Sequence, residues 1–317
     1  MSSVSDAARA GAPAGAPTPG LKDRIRDRIE GRAFPYILIA PALLTLVLVG
    51  LIPFIYTIWI SLHETQFTRV EGFIGLSNFG ELLSDGEFWR SMGVTAVILA
   101  IAVPIQFALA LGFALILSRG VYASRLLAPA LLIPAVIAPT VVAIVWKIML
   151  APSWGFMTYQ VIERFDLISG SSIFSGRVSA VAAIILIDVW QWTPFVALAL
   201  FAGLQALPVS PYRAAAVDGA SRWDTFRFIT LPGLYPLLAV LFLIRVIDTF
   251  KIFDTVFVLT GGGPQDATQT ISLYLYKHVF DFFEVGVAAA AAVVIFVLFF
   301  IFASIAYRLF TRTLKLF

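Results

Sequence analysis

The chain has no cysteine, only two histidines and a charged fraction of 13% over 317 residues. Without a thiol there is no disulfide framework, no thiolate metal site and no cysteine nucleophile. His63 and His278 stand far apart near the ends of apolar runs, so they support neither a metal site nor general base chemistry. No Gly-x-x-x-x-Gly-Lys-Ser/Thr phosphate loop is written anywhere, and no triad or paired-carboxylate site stands out. Positive charge is also sparse. The net charge is +3, and the basic residues fall in short clusters between apolar blocks instead of along one face, which argues against a nucleic acid partner. Apolar residues are what the chain does have: 60% of the sequence is hydrophobic and the mean hydropathy is +0.93. Such a composition belongs to a protein whose main solvent is the lipid bilayer.

Residues 1–33 are of another kind, an Ala/Gly/Pro-rich stretch (GAPAGAPTPG at 11–20) followed by Lys22, Arg24, Arg26, Arg28 and Arg32. They read as a disordered tail running into a basic anchor, with no cleaved signal peptide. Apolar runs long enough to cross a hydrocarbon core of about 20 residues occur at 34–62, 92–118, 126–150, 178–206, 234–260 and 286–310. The expected fold class is therefore an all-α membrane protein of about six transmembrane helices, occupying 34–317. Pro53, Pro104, Pro134, Pro139 and Pro194 interrupt the runs, which membrane helices tolerate when neighbours re-satisfy the freed carbonyls. The tail, Arg119 with Arg125, Arg213 with Arg222 and Arg227, and Arg308, Arg312 and Lys315 all fall on one side, so the positive-inside rule makes both termini cytoplasmic.

On the other side, residues 73–92 place Phe79, Leu82, Leu83 and Trp89 at helical spacing and predict an amphipathic helix in the interface. The cytoplasmic connection 208–236 (PVSPYRAAAVDGASRWDTFRFITLPGLYP) predicts two short helices. Ser210 is a suitable N-cap with Pro211 at the first helical position, and Gly219 supplies the left-handed turn after Asp218. Ser221 and Asp224 form a variant capping box, and Leu231-Pro232 is expected to stop the second helix. A first helix this short is marginal alone, and Ala214, Ala215 and Ala216 strip it of bulk, which suits a plug for another protein's socket as well as an ordinary capped connection.

The spacing Arg213-Ala214-Ala215, three residues, Gly219, nine residues, Ile229-Thr230-Leu231-Pro232 resembles the EAA loop of ABC importer permeases, in the form AAAVDGASRW…F…ITLP of the maltose-permease-like sugar subfamily. FDTVFVLTGGGP at 253–264 and FIGLSNF at 73–79 resemble further stretches of that subfamily. The resemblance implies the type I importer permease fold in a bacterial cell membrane, importing a di- or oligosaccharide, polyol or sugar derivative. It also implies partners: a second homologous permease, two ATP-binding subunits holding ATP and Mg, and an extracytoplasmic sugar-binding protein. The chain itself would be a non-catalytic subunit with no cofactor of its own. Coupling to the ATPase would fall to Arg213, Ala214, Ala215, Asp218, Gly219, Phe226, Ile229, Leu231 and Pro232. Arg213 departs from the usual Glu, which implies either a sister permease that keeps Glu or an ATPase carboxylate facing Arg213.

Polar groups inside a span are functional candidates by default. Asp188, Gln191, Trp192 and Phe195 fall on one helical face and offer an acid, an amide and rings suited to a sugar, or else a polar helix contact. Arg245, Asp248, Lys251 and Asp254 alternate in sign every three residues and read as an ion-pair ladder, with Lys251 and Asp254 also candidates for the substrate pathway. Gly261, Gly262 and Gly263 with Pro264 read as a tight turn. A stand-alone carrier or channel is the main competing reading and leaves the capped loop unexplained; a non-transport scaffold or sensor is another.

Overall fold

The computed structural model describes residues 34–66, 69–118, 120–152, 154–158, 160 and 172–314. The expected tail 1–33, Arg119 and Lys315 lie outside the described residues. The chain divides between Tyr56 and Thr57 into two units. In the first, α1 (Phe34–Thr45) runs through a π-helical turn (Leu46–Leu51) into the start of α2 (Ile52–Ser61), which continues into the second; the stretch is apolar and exposed. The Ile52 N–H reaches back five residues to the Val47 carbonyl just before Pro53. A proline ring clashes with the carbonyl four residues before it, and a π turn moves that carbonyl aside without ending the helix.

The second unit opens with a small antiparallel hairpin, β1 (His63–Gln66) and β2 (Arg69–Phe73), paired through Thr65↔Val70 and His63↔Phe73. Next comes α3 (Ser77–Ser84), then α4 (Gly86–Leu117). The expected single amphipathic helix over 73–92 is thus two helices. Asp85 breaks it by accepting the N–H groups of Glu87 (2.8 Å) and Phe88 (3.2 Å), which caps a new helix. Of the expected apolar set, Leu82 is buried and Phe79 packs beside it, while Leu83 and Trp89 are exposed. Asn78 ties α3 down by donating to the carbonyls of Ser61 and His63. Gly286 passes so close to Asn78 and the His63 carbonyl that a Cβ there would sit 2.9 Å from each.

Among the described residues five helices are long and apolar enough to span: 36–61, 86–117, 177–206, 222–259 and 285–306. The expected third span, 126–150, is broken. Its halves, in α5 (Val121–Val136) and α6 (Pro139–Met149), meet at 94°. The residue before a proline is pushed out of the helical region, and Ile137 and Ala138, at ψ 133° and 135°, are both extended before Pro139. The chain then forms α7 (Arg177–Ala206), α8 (Val209–Val217), α9 (Arg222–Thr225), a second π turn (Phe226–Thr230), α10 (Leu231–Phe250), α11 (Asp254–Leu259), α12 (Ile271–Phe280) and α13 (Val285–Leu314).

The core is built on α4 packed along α7. Ile98, Ala102, Ile184 and Ile187 bury one stretch of that seam together with Trp146 of α6 and Val256 of α11. Ala110, Ala114, Val196, Ala197 and Leu200 bury the next, closed by Leu241 of α10. Between α11 and α12 the backbone takes positive φ at Gly261 (59°) and Gly262 (98°), the tight turn expected there. Thr268, Gln269 and Thr270 beyond it are fully buried, and Thr95 accepts the Ile271 N–H at 2.9 Å.

Candidate functional site

Two polar constructions stand out, one inside the spans and one at the end of the bundle that carries α8 and α9. Inside, three helices meet on buried polar side chains. Gln106 of α4 donates to Asp188 of α7, at 2.6 Å to Oδ2 and 3.2 Å to the carbonyl, and its Oε1 accepts from Arg245 Nε of α10 at 3.1 Å. Arg245 also lies 3.4 Å from Asp188 Oδ2, donates to Thr249 at 2.9 Å and carries its guanidinium 4.9 Å from the Trp192 ring. Gln106 and Arg245 are 0% exposed and Asp188 5%, so the charges are removed from solvent and held by each other. One nitrogen, Arg245 Nη1, has no hydrogen-bond partner and stands 3.7 Å from Asp248.

The expected ladder holds in part. Arg245–Asp248 and Asp248–Lys251 (3.5 Å) are ion pairs, but the helix ends at Phe250 and the fourth rung turns away. Asp254 begins α11 and accepts from Thr140 of α6 at 2.9 Å. Lys147, at the far end of α6, donates to the Val258 carbonyl at 2.6 Å. The second half of the broken span is thereby lashed to α11 at both ends. Gln191 donates to the Ile137 carbonyl at 3.1 Å, satisfying an acceptor that the break sets free. Of the expected face, Asp188 and Trp192 meet at Arg245, Gln191 serves the break, and Phe195 is exposed; Lys251 is exposed as well. Gln106 and Thr249 were not picked out from the sequence. The signal for Gln106 was present, since it is the one amide within the apolar run 92–118.

At the other construction, α8 begins at Val209 with Pro208 before it, so Ser210 is not the cap and Pro211 is the third helical residue. The first turn leaves its N–H groups without helical partners in any case, so Pro211 fits there as well. The helix ends in a Schellman motif: Ala220 N–H donates to the Ala215 carbonyl (2.9 Å) and Gly219 N–H to that of Ala216, with Gly219 at φ 72°. Ser221 Oγ accepts the Asp224 N–H at 3.1 Å, while the Asp224 carboxylate takes the Ser221 hydroxyl instead of its backbone N–H. Leu231-Pro232 does not stop the helix. The Leu231 N–H reaches the Phe226 carbonyl through the π turn, and α9 runs on into α10. This is the device seen before Pro53, again two residues ahead of a proline.

A hydrogen bond of 3.0 Å between Tyr212 and Thr230 pins α8 to the π turn. Arg213, Ala214, Asp218 and Gly219 are exposed, Ala215 is buried, and Phe226, Ile229, Leu231 and Pro232 are partly buried. Val217, Trp223 and Phe228 show 88%, 64% and 67% of their surface, so apolar side chains here face largely outward.

Residues 106–316 match the family described as the inner membrane component of binding-protein-dependent transport systems. The chain belongs to this family. The permease is 39% identical over 265 residues to the trehalose/maltose transport system permease MalF of Thermococcus litoralis, covering 83% of this chain and 88% of that one. It is 34% identical over 267 residues to the trehalose transport system permease SugA of Mycobacterium tuberculosis, covering 84% of each. In fold it resembles a bacterial ABC transporter involved in the import of the acidic polysaccharide alginate, with a TM-score of 0.75 at 22% identity over 91% of this chain and 99% of that one. The permease is accordingly an integral membrane transport subunit.

Proposed function

We propose that this permease is one of two homologous membrane subunits of an ATP-driven importer for a sugar, with both termini in the cytoplasm. The single observation that carries the reading is the helix pair 209–230. The junction between its two helices is capped from within, its apolar and charged side chains point outward, and it is continuous with a membrane span. A rigid exposed plug joined to a span suits transmission of a partner's movement, and the partner is a cytoplasmic ATPase that holds ATP and Mg. Two such ATPases, a second permease and an extracytoplasmic sugar-binding protein complete the assembly. The names of the trehalose and maltose permeases support a sugar as cargo.

The substrate pathway is drawn past Asp188, Gln191, Trp192, Phe195, Lys251 and Asp254. Phe195, Lys251 and Asp254 offer exposed rings and charges, Asp188 fixes Arg245 under Trp192, and Gln191 holds the break at Ile137. On the plug, Arg213 faces a carboxylate of the ATPase, with Ala214, Asp218 and Gly219 beside it. Mass spectrometry of what co-purifies with the chain from its native membrane in mild detergent tests this. The expected result is a second permease and an ATP-binding subunit, with a binding protein recruited when sugar is present. Recovery of the chain alone, moving solute in vesicles without ATP, would overturn it.

A further inference from the structure

Between the α8–α9 pair and the end of α4 lies a cleft of about 650 Å³. One wall is apolar and belongs to a span: Ala108, Leu111, Gly112 and Leu115 of α4. A Cβ added at Gly112 would meet nothing within 4 Å, so the slot is open at that level. The rest of its lining is of different chemistry: Ser118, where the span ends, and on the helix pair Tyr212, Thr225 and Thr230 with Arg222 and Trp223 of α9. Arg222 is exposed and its side chain has, among the described residues, neither a hydrogen bond nor an ion pair. An apolar wall along a span, with hydroxyls, an indole ring and an unpaired cation where the span ends, matches the groups of a phospholipid.

We propose that this cleft holds one acidic phospholipid, its acyl chain along α4 and its phosphate at Arg222. The charge of Arg222 favours an anionic headgroup over a zwitterionic one, because membrane-surface cations attract acidic lipids, and Trp223 sits where aromatic rings anchor at headgroup level. A helix of another protein is less well matched, since the cation would then need a carboxylate beside it. The occupied cleft braces the helix pair from behind and leaves Arg213, Val217 and Phe228 free to meet a partner. The inference uses the proposed orientation only to place the lipid in the inner leaflet; binding itself is independent of transport.

The test is native mass spectrometry of the full chain in mild detergent with phosphatidylglycerol and phosphatidylcholine of matched acyl chains. Wild type is expected to retain phosphatidylglycerol about fivefold better, and Arg222→Gln to remove that preference. Gly112→Phe fills the slot and lowers retention of both lipids, whereas Arg213→Gln and Arg227→Gln, outside the cleft, keep the preference. The site is overturned if the preference survives Arg222→Gln, or if the other two arginine variants reduce it equally, which would mean diffuse surface charge. It is also overturned if wild type retains neither lipid, which would leave the cleft to a protein partner. Arg222 is exposed, so its variant remains informative should Gly112→Phe fail to fold. Because neither sugar nor ATP is present, failure here leaves the transport reading standing.

Discussion

The Gln106–Asp188–Arg245 cluster and the 209–230 helix pair are both rich in polar and charged groups, yet they are finished to different degrees. In the cluster, side chains answer one another: amide to acid, amide to guanidinium, guanidinium to threonine and indole. In the helix pair the backbone, its caps and the Tyr212–Thr230 hydroxyl pair are answered, while Arg213, Val217, Trp223 and Phe228 face largely outward. A region complete in side chains has its sequence dictated by its own chain. A region complete mainly in backbone has its surface dictated by something else, which is how a docking element differs from a core.

The largest expected effect would come from breaking the finished region. Arg245→Leu leaves Asp188 buried without its partner, and removing one member of a buried pair costs about 3–5 kcal/mol. The thermal unfolding midpoint of the purified chain in a fixed detergent should fall sharply, and adding Asp188→Asn should recover part of the loss. If Arg245→Leu unfolds with wild type, the cluster is solvated and the contrast between the regions disappears.

The converse experiment strikes the unfinished region. Gly219 sits at φ 72°, where a β-branched residue is strained, so Gly219→Val costs about 1–2 kcal/mol locally. The expected outcome separates stability from function: little change in global thermal unfolding, but a fall on the order of tenfold in ATP-driven uptake by the reconstituted assembly. An equal loss in both readouts would make the pair part of the folding core.

The same contrast explains what was legible in the sequence. The helix pair was readable because caps are local: Gly219 and Ser221 act on neighbours within five residues, so their signals are written side by side. Boundaries set by prolines were misread at Leu231-Pro232 because a π turn, which has no residue signature of its own, absorbs the clash. The break at 137–138 was hidden for a related reason: its freed carbonyl is met by Gln191, 54 positions away. Arg245 was assigned to neighbours on its own helix, and two of the expected rungs are present, but its buried partners Gln106 and Asp188 lie 139 and 57 positions back. Spacing along one helix finds contacts on that helix and says nothing of which neighbour the other side of a long side chain will meet.

An intermediate case sharpens the comparison with the smallest effect. Asp85, half-buried ahead of α4, caps the helix through its own neighbours and accepts the Tyr274 hydroxyl at 2.7 Å from a distant helix. Burial pushes its carboxyl up, but the bonds from Tyr274, Glu87 and Phe88 outweigh this and hold it below the usual carboxylate range. Burial together with the Asp85 carboxylate pushes the Tyr274 hydroxyl up, so it remains a donor. A carboxyl whose folded value is depressed stabilises the fold fully at pH above its unfolded value of about 3.9 and loses that contribution as pH falls through the folded value. Asp85→Asn keeps a capping oxygen and removes the charge, so at pH 7 it should cost about 0.5 kcal/mol of thermal stability. That difference should shrink toward zero as the pH is lowered through the depressed folded value, where wild-type Asp85 takes up its proton and comes to resemble the variant. A gap that widened instead would mean that the neutral acid is the form this site prefers, and that burial outweighs the Tyr274 bond.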